Sequence, residues 1–86
     1  MWFHAQALPG SQVVLITEGQ VIPKELIAKT AALAAFYSKG KSSGKVNVDY
    51  TRIKYVKKIP NSPPGLVNYT HQSTVTVIPE DFKISI

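Results

Sequence analysis

The chain has 86 residues, ten Lys and Arg against five Asp and Glu, and no cysteine. This length predicts one domain, because two hydrophobic cores would each be too small to be stable. The lack of cysteine excludes disulfides, thiolate nucleophiles and cysteine-based zinc sites. The net charge of +5 and the pI near 9.6 favour a polyanionic partner, most simply RNA. Charge that serves only solubility is the alternative.

Membrane insertion and secretion are not predicted. The longest apolar run, 31–37, is much shorter than the roughly 20 residues needed to span a bilayer. The first ten residues lack the basic region and apolar stretch of a secretion signal. We therefore expect a cytoplasmic protein without membrane contact. The chain also starts directly with a strand pattern, which predicts that it is a fragment of a larger protein.

The first half of the chain predicts two strands and a helix. Alternation over 2–7 indicates a strand that places Trp2 and Phe3 in the core. The β-branched run 12–17 indicates a second strand, buried on both faces and joined to the first by a hairpin or a wider loop.

Pro23 suits the start of the one good helix, 24–37, because its missing N–H needs no partner there. Gly40 suits a left-handed cap after the helix. The face of the helix predicted to be buried contains Leu26, Thr30, Leu33, Ala34 and Tyr37.

The second half predicts further strands. Segment 46–59 is long and extended, but neither of its faces is cleanly apolar, which predicts a bend or bulge near 50–53 that switches the buried side. Segments 66–70 and 73–78 predict a hairpin, and the tail 80–86 could add an edge strand. The sequence therefore predicts an α+β domain, with a mostly antiparallel sheet of about five strands and one helix packed on one face.

Positive charge is concentrated in one stretch. Seven of the ten cations lie between positions 39 and 58, where Asp49 is the single acid. Cations that contact phosphates, with rings available for base stacking, are typical of RNA binding. The alternative is an edge strand loaded with lysine to prevent aggregation. The candidate RNA-binding residues are Lys39, Lys41, Lys45, Arg52, Lys54, Lys57, Lys58, His4, Tyr50 and Tyr55, with Tyr50 also a candidate for the core.

Catalytic and metal sites are not predicted. His4 and His71 have no second His, Asp or Glu at metal-ligand spacing, and each is typical of a half-buried strand or turn histidine. A triad of Ser11, His4 and Asp49 lacks the nucleophile-elbow context. The Gly- and Lys-rich loop 38–45 lacks phosphate-loop spacing and follows a helix instead of a strand. We therefore expect no catalysis, no metal and no cofactor.

Motifs spread in order over some 80 residues carry a family resemblance. They are Trp2-Phe3-His4, Pro9-Gly10-Ser11-Gln12-Val13-Val14, the helix segment 31–39, 48–52, Val56-Lys57-Lys58, Pro64-Gly65, Val67, Tyr69-Thr70 and Val77-Ile78-Pro79. The chain resembles the NFACT-R domain of the RqcH/NEMF family, whose members are also named fibronectin-binding protein A.

The resemblance implies an RNA-binding module of a ribosome quality-control factor. Such factors bind obstructed large ribosomal subunits, and in bacteria they recruit alanyl-tRNA to tag stalled peptides. The implied partners are the large ribosomal subunit, rRNA and tRNA. The second family name implies an alternative: a protein-interaction module, either a surface adhesin for fibronectin or a contact for a ribosomal protein.

This sequence departs from the family pattern at two points. Gln12 stands where the family usually has a second histidine, which puts any role of two imidazoles in doubt. The family's domain also extends upstream by strands that this chain lacks. A shortened sheet exposes an edge, so we expect two copies of the chain to pair there as a homodimer.

Overall fold

The computed structural model of the chain describes residues 1–6, 12–38, 44–62 and 66–81. Its elements are β1 (Trp2–Ala5), β2 (Val13–Val14), α1 (Lys24–Tyr37), β3 (Val46–Thr51), a 3-10 turn (Ile53–Tyr55), β4 (Val56–Lys58), β5 (Val67–Tyr69) and β6 (Ser73–Val77). Four strands form an antiparallel sheet in the order β2-β1-β3-β6, and β4 pairs with β5 separately. The predicted α+β class, with one helix on a mostly antiparallel sheet, is confirmed.

Helix α1 packs on one face of the four-stranded sheet through small side chains. Ala31, Ala34 and Ala35 are fully buried and belong to one core cluster with Phe3 and Val48 of the sheet. Because alanine side chains are short, the helix backbone can approach the sheet closely. The predicted bounds of the helix are confirmed, and Pro23 stands immediately before its first residue.

The predicted burial of Tyr37 is wrong. Its side chain is 54% exposed, because the helix packs on the sheet mainly through its alanine stripe, with Leu26 and Ile27 partly buried beside it. The helix ends at Tyr37 and is capped by Ser38, whose backbone is extended and whose hydroxyl donates to the Ala35 carbonyl over 2.8 Å. The predicted cap residue Gly40 lies outside the described residues.

Strand β1 lies in the middle of the sheet. It pairs with β2 on one side and β3 on the other, and both Trp2 and Phe3 are buried as predicted. The first strand is therefore not an edge, and the argument for pairing two copies does not hold there. Homodimerisation stays a prediction, and among the described strands β2 and β6 are the edges of this sheet.

Strand β2 pairs antiparallel with β1, so the two segments are neighbours as expected. The predicted burial of both its faces is wrong. Val13 packs against the core and Leu15 is buried, whereas Val14 and Ile16 are 55% and 70% exposed. The reason is that β2 lies at the sheet edge, where α1 covers only one of its faces.

The segments 46–58 and 67–77 are two arms that pair with each other as one ribbon, and this ribbon bends in the middle. Pairing runs from Val46 opposite Val77 to Tyr50 opposite Ser73, and resumes with Val56 opposite Tyr69. The first arm has five residues between the paired parts, 51–55, and the second arm has three, 70–72. The longer arm takes up its extra length in the 3-10 turn Ile53–Tyr55, so a bend is present at the end of the predicted range 50–53.

The predicted hairpin between 66–70 and 73–78 is wrong. Strands β5 and β6 are successive parts of the same arm, and they pair with β4 and β3 instead of each other. His71 connects them in the left-handed region at φ +58°. The predicted tail strand falls mostly on residues outside the described part of the chain.

Candidate nucleic-acid interface

The structure separates the basic residues into two places. Arg52, Lys54, Lys57 and Lys58 are exposed and follow one another through the 3-10 turn and along β4. We call these four residues the basic bend. Lys45 stands before the other end of β3, roughly 20 Å away at the usual rise of a strand. Lys39 and Lys41 lie outside the described residues.

Two aromatic rings meet across the bend. Tyr55 and His71 stack with their centroids 4.0 Å apart and an angle of 22° between the ring planes. The Lys54 ammonium lies 5.1 Å from the centre of the Tyr55 ring, a distance that allows a cation–π contact. His71 is exposed and Tyr55 is half-buried. The bend therefore presents a ring surface together with positive charge.

The backbone of the bend fixes these rings in place. The Thr70 N–H donates to the Tyr55 carbonyl over 3.2 Å, which joins the two arms beside the stack. The Thr51 hydroxyl donates to the Thr70 carbonyl over 2.9 Å. Nδ1 of His71 lies 2.9 Å from the Thr70 hydroxyl, which orients the imidazole. The stack thus depends on contacts between arms that are distant in sequence.

Tyr50 and His4 lie elsewhere. Tyr50 stacks on Phe3, with centroids 5.6 Å apart, and packs against the core beneath α1, so its ring serves the core. His4 stacks on Trp2, with the ring planes 10° apart, on the opposite face of the sheet. Its Nδ1 is buried and has no hydrogen-bond partner among the described residues. Neither ring joins the basic bend.

Asp49, the single acid of the basic stretch, organises a polar cluster on the face opposite α1. Its carboxylate accepts hydrogen bonds from Gln6 Nε2 and the Tyr69 hydroxyl, each at 2.6 Å, and from the Thr74 hydroxyl at 2.7 Å. Burial alone raises the pKa of Asp49, but the three donors and nearby His4 outweigh it and lower that pKa below its usual value. The carboxylate is therefore held ionised inside the fold.

Tyr69 ties β5 to the four-stranded sheet. Its ring lies 4.6 Å from that of Trp2, and burial together with the Asp49 carboxylate raises the pKa of its hydroxyl to about 12. Sequence reasoning missed this cluster, because its members come from four segments. The available signal was alternation along β3, which places Asp49 on the face opposite buried Val48.

An open groove adjoins the basic bend. It has a volume of about 570 Å³ and is lined by Ile22 and Ile27 as well as Arg52, Ile53 and Lys54. Val21, also on its wall, is 94% exposed. The groove combines an apolar floor with two cations.

Within the described ranges, 1–6, 12–38, 44–62 and 66–81, three or more His, Asp or Glu side chains do not come together as a metal site would require. The one described helix, α1, is too short to cross a membrane.

Comparison with curated proteins shows which proteins the chain is similar to. It is 41% identical over 86 residues to the Rqc2 homologue RqcH of Streptococcus pneumoniae serotype 2, and 41% identical over 80 residues to RqcH of Bacillus subtilis. The chain is a homologue of one segment of RqcH. These alignments cover 99% and 93% of the chain but only 15% and 14% of the two RqcH proteins. No protein-family model matches the chain.

A solved structure agrees with the sequence comparison. The C-terminal part of the fibronectin/fibrinogen-binding protein from Streptococcus suis superposes with a TM-score of 0.83 at 40% identity. The match covers 93% of this chain and 32% of that one. RqcH of Streptococcus suis is 40% identical over 84 residues. The resemblance to RqcH and to fibronectin-binding proteins, inferred from the motifs, is confirmed.

Proposed function

We propose that this chain is a non-enzymatic RNA-binding module of an RqcH-type ribosome quality-control factor. It contacts rRNA or tRNA on stalled large ribosomal subunits in the cytoplasm. The basic bend supplies the phosphate contacts, and Tyr55 supplies an aromatic surface. The observation that carries the proposal is that all four cations of the basic bend are exposed and lie around the Tyr55–His71 stack.

The placement of Asp49 supports the proposal. A single acid among seven cations could have neutralised one of them, but its oxygens accept hydrogen bonds from three uncharged side chains instead. Among the described residues, Asp49 is thus hydrogen-bonded to neutral side chains, and the four cations of the basic bend are exposed. Exposed cations attract a polyanion and release its counterions on binding, which makes the affinity fall with salt.

The test is a salt titration of binding to purified large ribosomal subunits and to bulk tRNA. The wild-type chain is compared with a Lys57→Ala/Lys58→Ala variant. Each phosphate contact contributes about 0.7 to 0.9 to the slope of log affinity against log salt concentration. Removing both lysines should lower the slope by about 1.4 to 1.8 and weaken binding at low salt.

A matched variant, Lys24→Ala/Lys29→Ala, carries the same net charge but changes exposed positions on α1. We expect it to bind nearly as the wild type does. Equal losses from the two double variants would mean that net charge alone drives binding. Lys45→Ala, tested separately, shows whether the second basic place also contacts RNA.

The groove beside the basic bend favours a second candidate function, the binding of a protein. Its exposed apolar wall and the fibronectin/fibrinogen-binding name of the Streptococcus suis protein both fit this alternative. The candidate partners are fibronectin, which would require a cell-surface location, and a ribosomal protein. Binding to either that survives high salt and the Lys57/Lys58 substitutions, but is lost on Ile53→Asp, would favour this alternative over RNA.

A further inference from the structure

The bend in the ribbon holds a residue with a side chain in the left-handed region. His71 adopts φ +58°, a left-handed conformation that costs free energy for a residue with a side chain. Glycine or asparagine would occupy this position at lower cost. The conformation aligns an exposed imidazole with Tyr55 at 4.0 Å.

In this stack the imidazole is the ring that lies toward solvent. Tyr55 is half-buried under His71, whereas His71 is exposed. The phenol ring covers one face of the imidazole, and the rest of the imidazole is exposed to solvent. The Lys54 ammonium lies 5.1 Å from the centre of the Tyr55 ring. Arg52 lies two residues before Lys54 in the sequence. An aromatic surface of this kind, flanked by cations, suits a flat ligand that carries negative charge at its edge.

We propose that the Tyr55–His71 stack binds one unpaired RNA base, which extends the stack on the imidazole while the basic bend holds the adjoining phosphates. This inference rests on the proposed RNA-binding function and adds the class of RNA that the site selects. Bases inside a duplex are already stacked on both faces, and only loops, bulges and ends offer a free face. The module thus prefers single-stranded or bulged RNA over a regular duplex.

Two kinds of contact then contribute to the affinity for RNA. Phosphate contacts by Lys57 and Lys58 act on any RNA and depend on salt. Stacking acts only on an unpaired base, depends little on salt, and tolerates any base, because every base has a flat aromatic face. Loss of one stacking contact should weaken binding roughly 5- to 150-fold. The two contributions can therefore be separated by the RNA used and by the salt dependence.

The experiment measures affinity by fluorescence anisotropy for three RNA probes. They are a single-stranded oligouridine, a hairpin with a one-nucleotide bulge and the same hairpin fully paired. The chain is tested as wild type, His71→Asn, Tyr55→Leu and Tyr55→Phe. Asparagine tolerates the left-handed backbone without supplying a ring, and phenylalanine keeps a ring for stacking. Thermal unfolding checks that each variant is folded.

We expect the wild type to bind the oligouridine and the bulged hairpin more tightly than the paired hairpin. His71→Asn and Tyr55→Leu should remove that preference without changing the salt slope, and Tyr55→Phe should retain it. If the wild type binds all three probes equally, or if His71→Asn leaves the preference intact, the inference is overturned while RNA binding stands. If the folded wild type binds no RNA probe, ribosomal subunit or tRNA, the proposed function fails, and this inference fails with it.

Discussion

Replacing Tyr69 with phenylalanine isolates the hydrogen bond that ties β5 to the four-stranded sheet. Phenylalanine keeps the ring that lies 4.6 Å from Trp2 and removes only the hydroxyl that donates to Asp49 over 2.6 Å. A hydrogen bond to a charged group contributes about 1.5 to 3 kcal/mol. Because Tyr69 is half-buried, we expect the lower part of this range, a loss of about 1.5 to 2 kcal/mol in the free energy of unfolding.

The loss should depend on pH because Asp49 has a lowered pKa in the folded state. A carboxyl group of this kind adds its full stability above its unfolded pKa, near 3.9, and loses it as the pH falls through the lower folded value. Tyr69→Phe removes one of the donors that lower this pKa. The difference between wild type and variant should therefore be constant above about pH 5 and shrink below about pH 4.

The assay is urea unfolding followed by the fluorescence of Trp2, the chain's single tryptophan, with circular dichroism as a second probe. At neutral pH a loss of 1.5 to 2 kcal/mol corresponds to a fall in Tm of roughly 6 to 16 °C for a domain of this size. Tyr37→Phe is the matched control, because it removes an exposed hydroxyl and should change stability by less than about 0.5 kcal/mol. A loss for Tyr69→Phe as small as the control's, or one that persists unchanged at pH 3, would refute the reasoning.

Three further outcomes follow from other contacts. Ala35→Leu forces a larger side chain between α1 and the sheet, where Ala35 is fully buried. It should lower the free energy of unfolding in urea by about 1 to 3 kcal/mol, and an unchanged midpoint would contradict close packing there. Thr51→Val removes the hydroxyl that donates to the Thr70 carbonyl. It should lower the free energy of unfolding by about 1 kcal/mol and speed amide exchange at the bend. Unchanged exchange would mean that this hydrogen bond does not hold the arms together. Asp81→Asn removes the charge that raises the pKa of Tyr37, so nuclear magnetic resonance titration should show that pKa falling toward its ordinary value, and no change would place the cause elsewhere.

Elements that depend on local pattern could be predicted from the sequence. The helix 24–37 has a consistent periodicity and a proline before it, and the structure gives the same bounds. The bend in 46–59 was visible because neither face of an extended segment was cleanly apolar, and the 3-10 turn accounts for it. The family resemblance was recognisable because its motifs occur in order along nearly the whole chain.

Features that depend on pairing between distant segments could not be predicted. The hairpin expected at His71 failed because two short strand patterns separated by a turn signal describe a true hairpin and a bent arm equally well. Tyr37 continues the periodicity of the face predicted to be buried, but the helix packs on the sheet through an alanine stripe and leaves Tyr37 exposed. The role of Asp49 needed three partners from three other segments, none of which is near it in sequence.

The tie at Tyr69 and the candidate RNA contacts lie on the same ribbon, so a loss of stability must be separated from a loss of binding. A domain of 86 residues has about 4 to 13 kcal/mol of stability, and a loss of 2 kcal/mol from a value near 5 leaves more than 99% of the molecules folded. Tyr69→Phe should then bind RNA as the wild type does at 25 °C. If its affinity falls severalfold while circular dichroism shows a folded chain, the hydrogen bond to Asp49 also positions the basic bend, because the remaining difference cannot come from unfolding.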